Sequence, residues 1–283
     1  MKVSNNSGLK LFFLILLCIV PLITLTAAPS AILWEKWLAN DPESTRFPDH
    51  SLWNEFLESY VITDDPSGVN LVRYADVTPA DRRSLDMYIS QLEAENVDTL
   101  NRNEQLAFWL NLYNALTVRV ILEHYPVKSI RDVDISGFFR NGPWDAHLVR
   151  IMGEKLTLND IEHRIIRPIW PGPLAHYVVN CASYSCPELE GEAFTGENVW
   201  DYMKAGAREY VNHPRGVKIE GNVMHLSSIY KWYMDEDFGG DRDGLIEHLF
   251  KYAEAGLANE IRNFRGRLSF NYVWTLNEPV SER

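Results

Sequence analysis

The sequence predicts an α+β fold, with a central buried helix packed on a small antiparallel sheet. Three observations carry this. The stretch from Gln105 to Leu122 reads as one helix that is apolar on nearly every side, which marks a buried rather than a surface helix. The strand-forming runs are short and come as hairpins around Gly153 and around Gly221-Asn222, or stand alone. Helical patterns outnumber them and do not alternate with them as βαβ units would.

Taken in order, Ala31 to Asn40 reads as a short helix. Pro48-Asp49 opens a second, with Leu52, Trp53, Phe56, Leu57 and Tyr60 at helical spacing. Asp64 to Gly68 is a turn, and Val69 to Tyr74 alternates like a strand. Thr78-Pro79 starts a helix running to about Asn96, with Thr as N-cap and Pro at the first helical position. Asn101 and Glu104 form a capping-box pattern for the central helix, and Thr157 with Asp160 forms another for a helix from Leu158 to Arg167 that Pro168 ends. His147 to Leu156 is a hairpin. Ala175 to Asn180 is read as a strand, and Gly196 to Asn212 as an amphipathic helix. A second hairpin spans Val217 to Leu226. Ser227-Ser228 begins a helix holding Trp232-Tyr233, Asp241 to Asn263 is mostly helical, and Ser269 to Thr275 is a last strand.

The first residues read as an export signal. Lys2 and Lys10 flank an unbroken apolar run from Leu11 to Val20, followed by Pro21 and by small residues at Ala27, Ala28 and Ala31. The run is also close to the shortest length of a membrane helix, so an uncleaved anchor is the alternative. A cleaved form would be periplasmic or secreted. The chain carries a net charge of −12, becoming −14 if residues 1–28 leave with their two lysines. Such acidity disfavours nucleic acid, whose phosphates would repel it, and anionic membrane surfaces. Nine Trp and thirteen Tyr indicate an ordered core.

The densest chemistry lies in His176-Tyr-Val-Val-Asn-Cys181-Ala-Ser-Tyr-Ser-Cys186-Pro187. It holds the two cysteines that an exported form would keep, Cys18 being in the leader. Cys181 and Cys186 have two readings. A loop this short can close a disulfide, favoured in an oxidising compartment. Alternatively one of them is a nucleophile, which needs a base, and His176 is the candidate, in contact with either sulfur. If Ala175 to Asn180 is a strand, alternation puts His176 and Cys181 on opposite faces, so the strand must break near Asn180 for direct contact. Glu162 and His163, adjacent on a helix, point about 100° apart and do not pair with each other. Either can face the cysteine loop, and the plainer reading pairs Glu162 with Arg164 or Arg167. Asn111 and Asn114 share a face of the buried helix and must find partners there, either by tying the helix to a loop or by orienting the site.

Zinc is poorly served, since the cysteines lack CxxC spacing and a closed site needs four ligands. Asp235-Glu-Asp237 with Asp241 and Asp243 lacks the ligand pattern of a calcium loop and reads as a solvated acidic loop. No cofactor is implied.

Phe108 to Thr117, Pro126 to Asp132, Gly142-Pro-Trp144, Leu156 to His163, His176 to Pro187 and Tyr210 to Gly216 resemble, in order and spacing, the domain of unknown function DUF547, and Tyr272 to Asn277 fits the way that family ends. With the leader and the N-terminal helices read above, the resemblance divides the chain into a signal peptide (1–28), an N-terminal helical arm (29–98) and a DUF547-like α+β domain (99–283). By analogy alone it implies a papain-like or transglutaminase-like outline. The expected function is a thiol-dependent acyl or amide hydrolase or transferase. The alternative is a non-catalytic periplasmic binding or scaffold module with a Cys181–Cys186 disulfide. The partner is a small molecule, peptide or cell-envelope ligand, with membrane contact only through an uncleaved leader.

Overall fold

The computed structural model describes residues 28–137 and 142–279. The expected signal peptide lies, up to position 27, outside the described residues. Among those described, no helix is long and apolar enough to cross a membrane.

The fold is α+β. Helices α1 (Ser51–Tyr60), α2 (Pro79–Glu93) and α3 (Arg102–His124) precede the hairpin β3–β4 (Val149–Ile151, Glu154–Leu156), and a small strand pair β1–β2 (Val61–Ile62, Leu71–Val72) sits between α1 and α2. After the hairpin come a π-helical segment (Asp160–Ile166) and the single turn α4 (Arg167–Ile169). Helix α5 (Val199–Asn212) leads to β5 (Val217–Glu220), β6 (Val223–Ser227), α6 (Ser228–Trp232), α7 (Arg242–Tyr252), α8 (Ala255–Asn263) and β7 (Arg267–Asn271). The three-stranded sheet has the order β5-β6-β7, antiparallel for the first pair and parallel for the second.

Helix α3 is buried from Glu104 to Leu122 except at Arg119, as its all-round apolar pattern requires. It is bounded by helices α2 and α5 and the π-helical segment, where the sequence suggested a sheet. Its N-cap is Asn101, whose side chain accepts from Asn103 and Glu104 N–H. One apolar core joins Trp37, Trp53 and Tyr88 of the N-terminal stretch to α3, to the π-helical segment and to Leu276. A second, smaller core gathers Tyr177, α5, the three-stranded sheet and α7.

Two local readings are corrected. Pro168 does not end its helix. A proline has no N–H to give and clashes with an α-helical carbonyl behind it, and here the chain widens into a π-helix, with Arg167 N–H bonded to Glu162 O. The carbonyls of His163 and Arg164, left without helical donors, accept instead from Ile32 N–H at 2.9 Å and Trp34 N–H at 3.0 Å. Part of the expected first helix is thereby held extended, and only Glu35–Leu38 coils, as a 3₁₀ turn.

The second correction is the strand at Ala175–Asn180. Pro173–Tyr177 is a 3₁₀ turn, and Val178 leaves it with φ −134° and ψ −4°. Pro173, with its fixed φ, starts the turn after Gly172 at φ 115°. Helix α5 then packs so closely that a Cβ on Gly206 would stand 2.8 Å from the Tyr177 carbonyl oxygen. His176 and Cys181 are therefore not held on opposite faces of a strand.

That close approach makes a prediction. Gly206→Ala should destabilise the fold by about 1–3 kcal/mol, the usual penalty of overpacking. Urea unfolding measures it, and an unchanged midpoint would show that α5 and the His176 turn are not in tight register.

Candidate functional site

The cysteine loop is held from beneath by α3. Asn114 Oδ1 accepts from Asn180 N–H at 2.9 Å and its Nδ2 donates to Val178 O at 3.0 Å. Asn180 repeats the device inside the loop, accepting from Ala182 N–H at 2.8 Å and donating to Pro187 O at 2.7 Å. On the other side the C-terminal segment lies along the loop, with Tyr184 N–H bonded to Thr275 O and Asn277 N–H to Ala182 O. So clamped, Ala182 sits at φ +58°, a left-handed conformation that non-glycine residues rarely adopt. Such strain persists only where the surroundings enforce it, and it falls on the residue after Cys181.

Cys181 and Cys186 are free thiols. The disulfide of the alternative reading is therefore not formed. Cys186 Sγ accepts from Cys181 N–H at 2.8 Å and faces Val179 O at 3.6 Å. Cys181 Sγ lies 3.2 Å from both Ser183 Oγ and Tyr272 Oη, which are themselves 3.1 Å apart. Burial pushes the Cys181 thiol up, but hydrogen bonds from the Cys186 thiol and the Ser183 and Tyr272 hydroxyls outweigh it, and its pKa falls below the ordinary value. Burial, then the hydrogen bond to Cys181 and its charge, drive Cys186 the other way.

A charged cluster borders the same cleft. The side chain of Arg167 is 1% exposed. Its Nε donates to Asp237 Oδ2 at 2.8 Å, its Nη2 to Glu236 Oε2 at 2.7 Å, and its Nη1 to Pro29 O at 2.8 Å. Nη1 also meets His163 Nδ1 at 3.1 Å. A guanidinium can only donate, so His163 Nδ1 accepts and the ring is neutral with its proton on Nε2. Burial lowers the His163 pKa, in agreement. His176 Nε2 lies 2.7 Å from Asp237 Oδ2, and its ring stacks on Tyr233 at 4.0 Å between centroids. Its Nδ1 is 3.8 Å from Glu162 Oε1. Glu162 accepts from Tyr113 Oη at 3.2 Å and Tyr233 Oη at 3.1 Å. Burial alone would raise its pKa, but its electropositive surroundings, Arg167 and the Tyr233 hydroxyl among them, lower it, so it is a carboxylate. Asp237 is likewise held low against burial, by His176 first and then Arg167.

Cys181, Cys186, His176, Glu162 and His163 all line one cleft of about 530 Å³, whose lining also includes Arg131, Trp144, Asp145, Trp232, Tyr233, Tyr272 and Trp274. Among the described residues no hydrogen bond joins an imidazole to a sulfur. Asn111 and Asn114 stand apart from the cleft lining. Asn111 exchanges both amide bonds with the Phe194 backbone, at 2.8 and 3.0 Å, as Asn114 does around the cysteine loop.

Glu162 pairs with neither arginine expected for it. Arg164 goes to Asp160 at 2.9 Å, and Arg167 to Glu236 and Asp237. His163 Nδ1 comes within 3.9 Å of Glu162 Oε1, nearer than their spacing on an α-helix suggested, because the segment is π-helical. The acidic tract is not simply solvated. Asp235 is exposed, but the Asp237 side chain is 7% exposed and orients His176. Asp237, Tyr272, Tyr233 and Ser183 are site residues to which the sequence assigned no role in the chemistry, and Arg167 entered only as a partner for Glu162. Only the acidic tract beside Trp232-Tyr233 gave a signal.

Residues 97–211 match the model of a family described as a protein of unknown function, DUF547. The chain carries a DUF547 domain. The matched stretch holds α3, the π-helical segment, His176 and both cysteines, whereas Asp237, Tyr272 and Trp274 come from beyond it. The DUF547 segment therefore contributes the thiols and the imidazoles, and the C-terminal residues complete the cleft. Comparison with curated proteins and with solved structures finds no match, so the papain-like outline rests on analogy alone.

The thiol geometry predicts a pH profile. A thiolate is the species that alkylates, and a lowered pKa brings it in at lower pH. Modification of Cys181 by iodoacetamide should reach half its maximal rate at lower pH than that of an unperturbed thiol. Tyr272→Phe removes a donor to the thiolate and should move the profile to higher pH. Peptide mass mapping across pH 5–10 reads both. Cys186 reacting first, or a Tyr272→Phe profile superimposed on the parent, would contradict the assignment.

Proposed function

We propose that this protein is an exported thiol-dependent acyl or amide hydrolase or transferase, with Cys181 as nucleophile. The observation that carries the reading is that the thiol with the lowered pKa opens on the same cleft as an imidazole whose Nε2 is fixed by Asp237. Nucleophile, base and orienting carboxylate are the three parts such chemistry needs. With Nε2–H donating to Asp237, the basic lone pair of His176 is on Nδ1.

In the proposed sequence, Cys181 gives its proton to His176 Nδ1 and its sulfur attacks the acyl carbon. The bond to the leaving nitrogen or oxygen breaks, and the leaving group takes that proton. Water, or an acceptor amine or alcohol in a transferase, then attacks the thioester as His176 removes its proton, and Cys181 is regenerated. Hydrogen bonds of this kind commonly tighten only when substrate is bound, which accommodates the separation of the imidazole from the sulfur. Asn114 and Asn180 act as positioning residues, and Glu162 sets the field at His176.

A second reading, a binding module without chemistry, is favoured by that same separation. A panel of p-nitrophenyl esters and peptide amides distinguishes the two. Cys181→Ser should lower kcat/KM by about 10³-fold or more, His176→Gln should lower kcat, and Cys186→Ser should retain most activity. Wild-type turnover in Cys181→Ser would end the thiol reading, and absence of turnover across the panel would leave the binding module.

A further inference from the structure

The aromatic part of the cleft lining has a composition of its own. Trp274 packs against Tyr272 at 4.6 Å, Trp232 at 5.6 Å and Trp144 at 6.0 Å between ring centroids. Arg131 lays its guanidinium over Trp274, 5.2 Å from the ring centroid. Tyr272 carries the hydroxyl that touches Cys181 Sγ at 3.2 Å, so Arg131, Trp274, Tyr272 and the sulfur form one continuous run of contacts.

Arg131 differs from the other arginine of the site. Arg167 is consumed by two carboxylates, a carbonyl and an imidazole. Among the described residues, no carboxylate lies within ion-pair distance of the Arg131 guanidinium, although Asp132 and Asp134 are its near neighbours in sequence. It is exposed at the cleft, in a chain of net charge −12. An arginine stacked on an indole has its plane fixed and its N–H edges free. Those edges form a planar fork that matches a carboxylate with two parallel hydrogen bonds.

We infer that the cleft takes acyl or amide compounds that also bear a carboxylate, held by Arg131, with their apolar part against the Trp144–Trp274 wall and their reacting carbon at Cys181. This rests on Cys181 being the nucleophile. Arg131 is then the specificity-determining residue, drawing anionic substrates into a molecule whose overall charge repels them.

Two alkylating probes of nearly equal size isolate this effect, iodoacetate carrying a carboxylate and iodoacetamide carrying none. In both, the Cys181 thiolate forms the S–C bond and iodide leaves with the electron pair of the broken C–I bond. The second-order rate constants for Cys181 are measured at fixed pH and ionic strength by peptide mass mapping. Arg131→Gln should lower the iodoacetate to iodoacetamide rate ratio by about fivefold or more, and Arg131→Lys should fall between. Succinate, rather than phosphate at equal ionic strength, should protect Cys181 from iodoacetamide in the wild type and not in Arg131→Gln. A ratio indifferent to Arg131, or protection by phosphate alone, overturns this inference and leaves the thiol reading intact. If neither reagent modifies Cys181, the thiol reading fails and this inference fails with it. Thermal melts of the variants separate a local effect from loss of fold.

Discussion

A buried guanidinium organises this molecule. The Arg167 side chain is 1% exposed, and an uncompensated charge there would cost several kcal/mol. The fold meets that demand with two carboxylates from the loop after α6, the Pro29 carbonyl from the N-terminal stretch and the Nδ1 of His163. Tyr233 adds its ring face, 4.7 Å from the guanidinium carbon. Three distant parts of the chain are thus tied to one charge. The arrangement also fixes the chemistry of the cleft. Because Arg167 pins Asp237, Asp237 pins His176, and because Arg167 donates to His163, that second imidazole is neutral.

The same rule, that buried polar groups must be satisfied, explains how the thiol is displayed. Helix α3 is nearly all apolar, yet it carries Asn111 and Asn114 inside the core. Each spends its amide on the backbone of a loop that has no sheet to pair with. Asn114 holds the residues on either side of Val179 and so sets the entry to the cysteine loop. The pairing with the C-terminal segment closes the other side. Between these anchors the loop tolerates Ala182 in a left-handed conformation, and the Cys181 sulfur is delivered to two hydroxyls rather than to an imidazole. Thiolate stabilisation and proton transfer are therefore assigned to different groups across one cleft.

Much of the local structure was legible. The caps at Thr78, Asn101 and Thr157 read correctly because a cap is decided within three or four residues. The buried character of α3 was legible because no solvent face could be drawn on it. The strand proposed for Ala175–Asn180 failed because its Tyr-Val-Val run is β-prone in isolation, while Pro173 and the close passage of α5 favour a 3₁₀ turn. Pro168 misled for a related reason. Its missing donor normally ends a helix, but here the N-terminal stretch supplies donors to the freed carbonyls, a partner 130 residues or more away in sequence.

The amino-acid sequence by itself determined the mixed architecture, the central buried helix and the loop where thiols and an imidazole concentrate, since each is written in residue types adjacent along the chain. Only the tertiary structure decided which groups serve that loop. Tyr272 reaches Cys181 across 91 positions, and Asp237 reaches His176 across 61. Such partners are chosen by the need to neutralise and hydrogen-bond what has been removed from water, and that need arises only once the chain has folded.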